Sequence, residues 1–192
     1  MRFASLTPAA LVLTLAAGAA FAQAVEWAEF IDRDDHLLIN FPGEPDKKDL
    51  QYKTAKGTML PAHVYAAQDR RGQYFMTVVD YRNASAEDFA SAIKDASDSF
   101  RAKGKITYDE PGRLDGHLTQ RITAETTAGR RWLAEILMSN EKRLYISEAE
   151  AALNAPPPAH FQASIQVLND DGIRIRYNGG QEKGVLADRP GN

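Results

Sequence analysis

The chain has 192 residues, of which 44% are hydrophobic and 26% charged, with no cysteine and a formal net charge of −3. The apolar fraction excludes a disordered chain and a multi-span membrane protein. The lack of cysteine excludes a disulfide, a thiolate nucleophile and a cysteine-ligated zinc, and the acidic balance gives no electrostatic basis for binding nucleic acid. A chain of this length is expected to form one domain.

The first 22 residues have the layout of a secretory signal peptide. Arg2 is their only charge, the stretch from Ala9 to Phe21 is apolar or small with one Thr, and Ala20-Phe21-Ala22 matches an A-x-A cleavage site. A helix needs about 20 apolar residues to span a bilayer, so this stretch is too short, although an uncleaved anchor or a buried helix stays an alternative. We expect cleavage near Ala22, or two residues later, and a periplasmic or secreted protein. Without cysteine there is no lipid anchor, and no stable membrane anchor is expected after cleavage.

The first half of the mature chain predicts strands separated by turns. Tyr74 to Tyr81 is apolar on both faces, which indicates a central strand. The other predicted strands are Leu37 to Phe41, a polar edge strand from Asp49 to Thr54, and Met59 to Gln68.

An amphipathic helix is predicted after residue 85. Ser85 is a suitable N-cap with Asp88 three residues later, and an apolar stripe follows at spacings of 4, 3 and 4 through Phe89, Ile93, Ala96 and Phe100. Gly104 is expected to end the helix at the C′ position.

The second half predicts a strand meander, a second helix and a last strand. The predicted strands are Lys105 to Asp109, Leu118 to Glu125, Trp132 to Met138, Leu144 to Ser147 and Ile173 to Tyr177, with a loop bracketed by Pro111-Gly112 and Asp115-Gly116. Pro156-Pro157-Pro158 is expected to open the second helix, because Phe161, Ile165 and Leu168 follow at helical spacings. The polar segment 179–192 is expected to be a disordered tail.

Strands joined by tight turns, with two separated helices, indicate an α+β fold in one domain over residues 25–178. The strict βαβ alternation of a Rossmann-type fold is absent from the predicted elements.

The order and chemistry of several segments resemble a known superfamily. The segments are Leu38-Ile39-Asn40-Phe41-Pro42-Gly43-Glu44-Pro45, the aromatic hairpin from Tyr65 to Tyr81, Arg143-Leu144-Tyr145-Ile146, and the proline-rich lead into Phe161-Gln162-Ala163-Ser164-Ile165. An early strand ending in Phe-Pro, a late Arg-Leu-Tyr strand and a helix after prolines resemble the PsbP/Mog1/DcrB-like superfamily, and small exported bacterial proteins of unassigned function. The resemblance implies an α-β-α sandwich with a central antiparallel sheet and two main helices. It also implies an accessory or assembly factor, or a partner-binding module; it assigns no functional residue.

Motifs that carry catalysis are missing. The sequence has no G-x-S-x-G elbow, no glycine-rich phosphate loop, no H-E-x-x-H and no D-x-D-x-D-G calcium loop. The four histidines, His36, His63, His117 and His160, have no i,i+4 pair, so a metal site would need convergence in three dimensions. We therefore predict no catalytic residue, no metal site and no cofactor.

Two arginine pairs are the unusual local feature. Arg70-Arg71 and Arg130-Arg131 each mark a predicted hairpin tip. If both tips lie at one end of the sheet, four guanidinium groups make an anion-binding rim; otherwise they are the solvated charges usual in hairpin loops.

The favoured hypothesis is an exported, non-catalytic accessory or partner-binding protein, whose protein partner the sequence does not identify. One alternative is a periplasmic enzyme, such as a hydrolase, with a site assembled only in three dimensions. The other is a carrier that holds a small ligand between a helix and the sheet.

Overall fold

The structure is a computed structural model that describes residues 26–178 and 181–185, and the expected signal peptide lies outside these ranges. None of the helices in the described ranges is long and apolar enough to cross a membrane. Along the chain the elements are β1 (Trp27–Asp32), β2 (Leu37–Pro42), β3 (Asp46–Lys53), β4 (Met59–Gln68), β5 (Gly72–Asp80), α1 (Ala86–Arg101), β6 (Lys105–Leu114), β7 (His117–Glu125), β8 (Arg130–Met138), β9 (Arg143–Ala152), α2 (Ala159–Ala163), β10 (Gln166–Val167), β11 (Arg174–Asn178) and β12 (Gln181–Val185).

Seven strands form one antiparallel sheet in the order β3-β4-β5-β9-β8-β7-β6. The apolar strand β5 lies inside the sheet and the polar strand β3 at its edge, as their sequences predict. The other edge is β6, whose register with β7 shifts between Ile106 and Tyr108. The α+β class is confirmed by this sheet together with the helices.

Each face of the sheet packs into its own apolar cluster, because side chains alternate along the strands. On one face, Val79 and Ile136 pack with Phe100 of α1. On the other face, Tyr74 and Val78 join a cluster that includes residues of α2 and of a second sheet. That second sheet has the order β1-β2-β10.

The start of α1 follows the sequence prediction, but its end does not. Ser85 Oγ accepts a hydrogen bond of 3.0 Å from the backbone N–H of Asp88 and donates one of 2.7 Å to the carboxylate of Asp88. The C-cap is Ala102 in right-handed conformation, so Gly104 is not a left-handed C′ residue. A Cβ at Gly104 would lie 2.3 Å from the carbonyl oxygen of Glu125. Glycine is required there by the close approach of two backbones.

The second helix is much shorter than its apolar spacing predicts. Helix α2 ends at Ala163, and the chain then extends to pair Gln166–Val167 of β10 with β2. Ile165 and Leu168 are fully buried outside the helix. The apolar spacing therefore identifies the buried positions correctly, but it predicts a helical backbone at Ile165 and Leu168, which lie outside the helix.

Three further differences concern strand ends and missing strands. The expected loop at Pro111-Gly112 is wrong, because β6 runs on to Leu114 and pairs with β7 along its length. Strand β1 was not predicted; it pairs with β2 from Trp27 to Asp32. Within the expected tail, Gln181–Val185 is a strand that pairs with β11, and residues 186–192 lie outside the described ranges.

Candidate functional site

The two arginine pairs lie at the same end of the seven-stranded sheet. Gly72, which follows Arg71, lies opposite Ala151 of β9, and Arg131 lies opposite Ala151 on the other side of that strand. With strands about 4.8 Å apart, the Cα atoms of Gly72 and Arg131 are separated by about 10 Å. The structure thus brings the two hairpins together, while anion binding by them stays a prediction.

Two of the four guanidinium groups are already engaged. Arg130 Nε lies 2.8 Å from the carboxylate of Glu150, and the Arg131 guanidinium donates to the backbone carbonyls of Leu153 and Ala155 at 3.3 and 3.5 Å. Arg70 and Arg71 are exposed and enter no ion pair in the part of the chain that the structure describes. The predicted rim therefore offers two unengaged arginines rather than four.

A buried polar cluster holds the turn between β1 and β2 against the large sheet. Asp35 is only 6% exposed and accepts hydrogen bonds from the Tyr65 hydroxyl at 2.5 Å and from His63 Nδ1 at 2.7 Å. Its backbone carbonyl accepts a third, from the Tyr145 hydroxyl at 2.9 Å. Burial, followed by the hydrogen bond to Asp35, raises the pKa of Tyr65, so this hydroxyl stays protonated and donates.

The next residue, His36, extends the cluster to two further turns. Its φ of 53° places it in the left-handed region, which is uncommon for a residue other than glycine. Its Nδ1 lies 2.5 Å from the carboxylate of Glu141, and its Nε2 lies 3.1 Å from that of Asp170. Arg143 completes this group by donating to the Asp34 carbonyl at 3.2 Å. The cluster fixes three turns together, and its groups pair mainly with one another.

The histidines do not converge on one metal site. His160 stacks edge-on against Trp27 with ring centroids 5.4 Å apart, far along the chain from the cluster of His36 and His63. His117 is buried at the start of β7. Within residues 26–178 and 181–185, no three or more His, Asp or Glu side chains are arranged to hold a metal ion.

A groove of about 630 Å³ lies between α1 and the ends of two hairpins. Its residues come from α1, from the β6–β7 hairpin and from the β8–β9 turn: Phe89, Ala90, Ile93, Arg113, Gly116, His117, Leu118, Met138, Ser139, Asn140 and Lys142. Leu118 is 58% exposed, the highest exposure of a large apolar side chain in the described ranges. Because β8 begins at Arg130 and ends at Met138, the groove and the arginine pairs are at opposite ends of the sheet.

The charged side chains that line this groove are positive, although the chain as a whole has a negative net charge. Arg113 and Lys142 line it, no carboxylate does, and neither cation enters an ion pair within the described ranges. Lys142 Nζ lies 5.7 Å from the ring centre of Phe89, and Arg113 donates to the Gly116 carbonyl at 3.0 Å. Burial lowers the pKa of His117, so this side chain adds no charge at neutral pH. The groove combines an apolar floor with two cations at its rim.

Neither the groove nor the Asp35 cluster is evident from the sequence, because both unite residues far apart in the chain. His36 and Arg143 are 107 positions apart. Leu118 carried a weak signal, since it is a large apolar residue directly after a turn, but such residues are usual in half-exposed strands.

Comparison with known proteins shows a distant structural similarity. No known protein family and no curated protein matches the chain. Among solved structures, it is similar to the solution structure of cyanobacterial PsbP (CyanoP) from Synechocystis sp. PCC 6803, with a TM-score of 0.48 and 12% sequence identity. The similarity covers 81% of this chain and 98% of that one. Function is therefore argued from the residues of this chain.

Proposed function

We propose that this chain is an exported, non-catalytic accessory protein that binds an acidic segment of a partner protein in the groove beside α1. The observation that carries the proposal is the combination of apolar side chains with Arg113 and Lys142 in a groove whose described lining residues include no carboxylate. The signal-peptide pattern of residues 1–22 supports a periplasmic or secreted location.

The groove fits a peptide segment better than an extended flat interface. Its volume of about 630 Å³ lies within the usual range for ligand sites. Exposed Leu118 and the ring of Phe89 offer apolar contact area, while two cations at the rim steer and orient a negative segment. An acidic segment with one or two apolar side chains complements both properties.

The finer architecture belongs to the same proposal. We place the chain as an α-β-α sandwich in the PsbP/Mog1/DcrB-like superfamily. Support comes from the chain itself: α1 packs on one face of the large sheet, and α2 with the small sheet packs on the other.

The test is to attach an affinity tag to the mature protein and to purify it, with any bound partner, from its native cell envelope. Three versions of the protein are compared. The first is the wild type, the second carries Arg113→Glu and Lys142→Glu, and the third carries Arg70→Glu and Arg71→Glu. The third is a matched control, because it makes the same charge change at the opposite end of the sheet. Thermal unfolding of each variant verifies that it is folded.

We expect an envelope protein that the wild type and the control enrich and that the groove variant loses by about tenfold or more. A synthetic acidic peptide from that protein should then shift the amide NMR signals of Phe89 and Leu118. The proposal is wrong if the groove variant retains every enriched protein, or if nothing is enriched above background. Loss in the control alone would instead assign binding to the arginine pairs.

A hydrolase is the second candidate, and the Asp35–His63 pair is the observation that favours it. A buried carboxylate on Nδ1 orients the ring of His63 as a general base requires, and Nε2 on the other side of the ring lies 3.5 Å from the exposed carboxylate of Asp49. His63→Gln should abolish any hydrolysis that the purified protein performs on a panel of ester and phosphoester substrates. Equal turnover by the wild type and His63→Gln would exclude this pair as the base.

A further inference from the structure

A second cavity lies on the face of the sheet opposite α1. It has a volume of about 200 Å³ and is formed by α2 with strands β6, β7 and β8. Most of its wall is apolar, including Leu133, Ala159 and Ala163, and Tyr108 contributes an aromatic side chain. The remaining wall contains the half-exposed Arg121 and two buried polar side chains, Glu135 and Gln162, which the groove and the polar cluster do not use.

Glu135 is a carboxylate in an unusual position. It is 1% exposed in the middle of β8, and neither of its carboxylate oxygens accepts a well-aligned hydrogen bond from the described part of the chain. Arg121 Nε lies 3.0 Å from one of them, which is ion-pair distance without the alignment of a hydrogen bond, and the Arg121 side chain is half exposed. Burial raises the pKa of Glu135, and the neighbouring Arg121, with a smaller contribution from the Thr119 hydroxyl, opposes this effect.

Gln162 supplies a second unpaired acceptor from the opposite wall. Its amide nitrogen donates to the Leu133 carbonyl at 3.2 Å, which orients the side chain, while its amide oxygen is buried and has no hydrogen-bond partner among the residues that the structure describes. Buried polar atoms in native proteins are nearly always hydrogen-bonded, so unpaired acceptors on two facing elements indicate a missing donor. The donor has to carry several N–H or O–H groups to satisfy both side chains.

We propose that this cavity binds a small organic cation, an ammonium group on a compact apolar body. An ammonium group has three N–H donors. It also supplies Glu135 with a positive charge, which Arg121 provides only in part because its side chain is half exposed and poorly aligned. The apolar wall receives the body of the ligand, and a cavity of about 150 Å³ already holds a benzene molecule. The Glu135 and Gln162 oxygens are covered by neighbouring atoms, so binding includes rotamer changes of both side chains, which are common at binding sites.

The site is independent of the proposed partner groove, because the two lie on opposite faces of the sheet. The proposed ligand has N–H donors, a positive charge and a compact apolar body. Benzylamine is a simple probe with these three properties. Benzyl alcohol is the matched neutral probe, since it has the same ring and one donor but no charge.

The experiment is an NMR titration of the full mature protein with benzylamine and with benzyl alcohol. Three variants are compared: Glu135→Gln, Gln162→Leu, and Glu150→Gln as a control carboxylate that is paired with Arg130. We expect benzylamine to shift the amide signals of Leu133 and Ala163. Its Kd should rise about tenfold or more in Glu135→Gln and Gln162→Leu and stay unchanged in Glu150→Gln.

Four results would overturn the proposal. They are no benzylamine shifts at about 10 mM ligand, equal binding of the amine and the alcohol, unchanged affinity in both pocket variants, or a long-lived water at Glu135 that benzylamine does not displace. If Glu135→Gln does not fold, Gln162→Leu tests the site by itself, because its substitution keeps the carboxylate.

Discussion

The polar cluster of the β1–β2 turn predicts a large stability loss from a single atom replacement. Asp35→Asn removes the charge from a buried acceptor of hydrogen bonds from Tyr65 and His63. Hydrogen bonds to charged groups contribute about 1.5–3 kcal/mol each, whereas hydrogen bonds to the neutral asparagine oxygen contribute only about 0.5–1.5 kcal/mol each. The free energy of unfolding should fall by about 2–3 kcal/mol, which corresponds to about 5–10 °C in Tm for a domain of this size.

Urea unfolding followed by circular dichroism measures this loss, with Asp34→Asn as the control. Asp34 is the exposed neighbour, and its backbone carbonyl, which the substitution keeps, accepts from Arg143. The control should stay within about 0.5 kcal/mol of the wild type. If Asp35→Asn also stays within that margin, the hydrogen bonds of Asp35 do not stabilise the fold and the reasoning fails.

Three further predictions concern backbone approach, capping and titration. Gly104→Ala should lower the free energy of unfolding by about 1–3 kcal/mol in urea, because its Cβ would meet the Glu125 carbonyl; an unchanged midpoint would contradict the close approach. Ser85→Ala should cost about 1 kcal/mol, and Ser85→Thr, which keeps a hydroxyl that caps the helix and donates to Asp88, should recover most of it in the same assay. Glu135 has a raised pKa in the folded state, so the wild type should lose stability as pH rises from the ordinary glutamate pKa to that raised value. Glu135→Gln should remove this slope from Tm measured against pH, and a parallel slope in both proteins would show that another group causes it.

The apolar periodicity predicted most of the large sheet, because strands of an antiparallel sheet leave a local signature. The bounds Met59 to Gln68 coincide with β4, and the cap at Ser85 coincides with the start of α1. The second helix shows where this signature fails. Phe161, Ile165 and Leu168 are all buried, but burial in a short helix, a turn and a strand end can produce the same spacing.

Neither cavity was predictable, because each depends on contacts across the sheet. Glu135 resembles an ordinary polar residue of an amphipathic strand until α2 covers it with Gln162. The groove needs Leu118 and Lys142 to meet beside α1, which only the hairpin geometry determines. The two arginine pairs show a different limit. The sequence predicts that they can form a rim only if both hairpin tips lie at one end of the sheet, and the tips do lie there. The sequence gives no sign of the ion pair between Arg130 and Glu150.

The two outer strands of the large sheet have a consequence for how the protein meets other chains. Strand β3 carries charged side chains along most of its exposed length, Lys47 and Lys48 among them. Strand β6 contains Pro111, which has no N–H to donate, and the irregularity after Ile106. Both features make a strand edge a poor template for a strand from another molecule. A β-rich protein without disulfides is thereby protected from edge-to-edge polymerisation, and recognition is left to its side-chain surfaces.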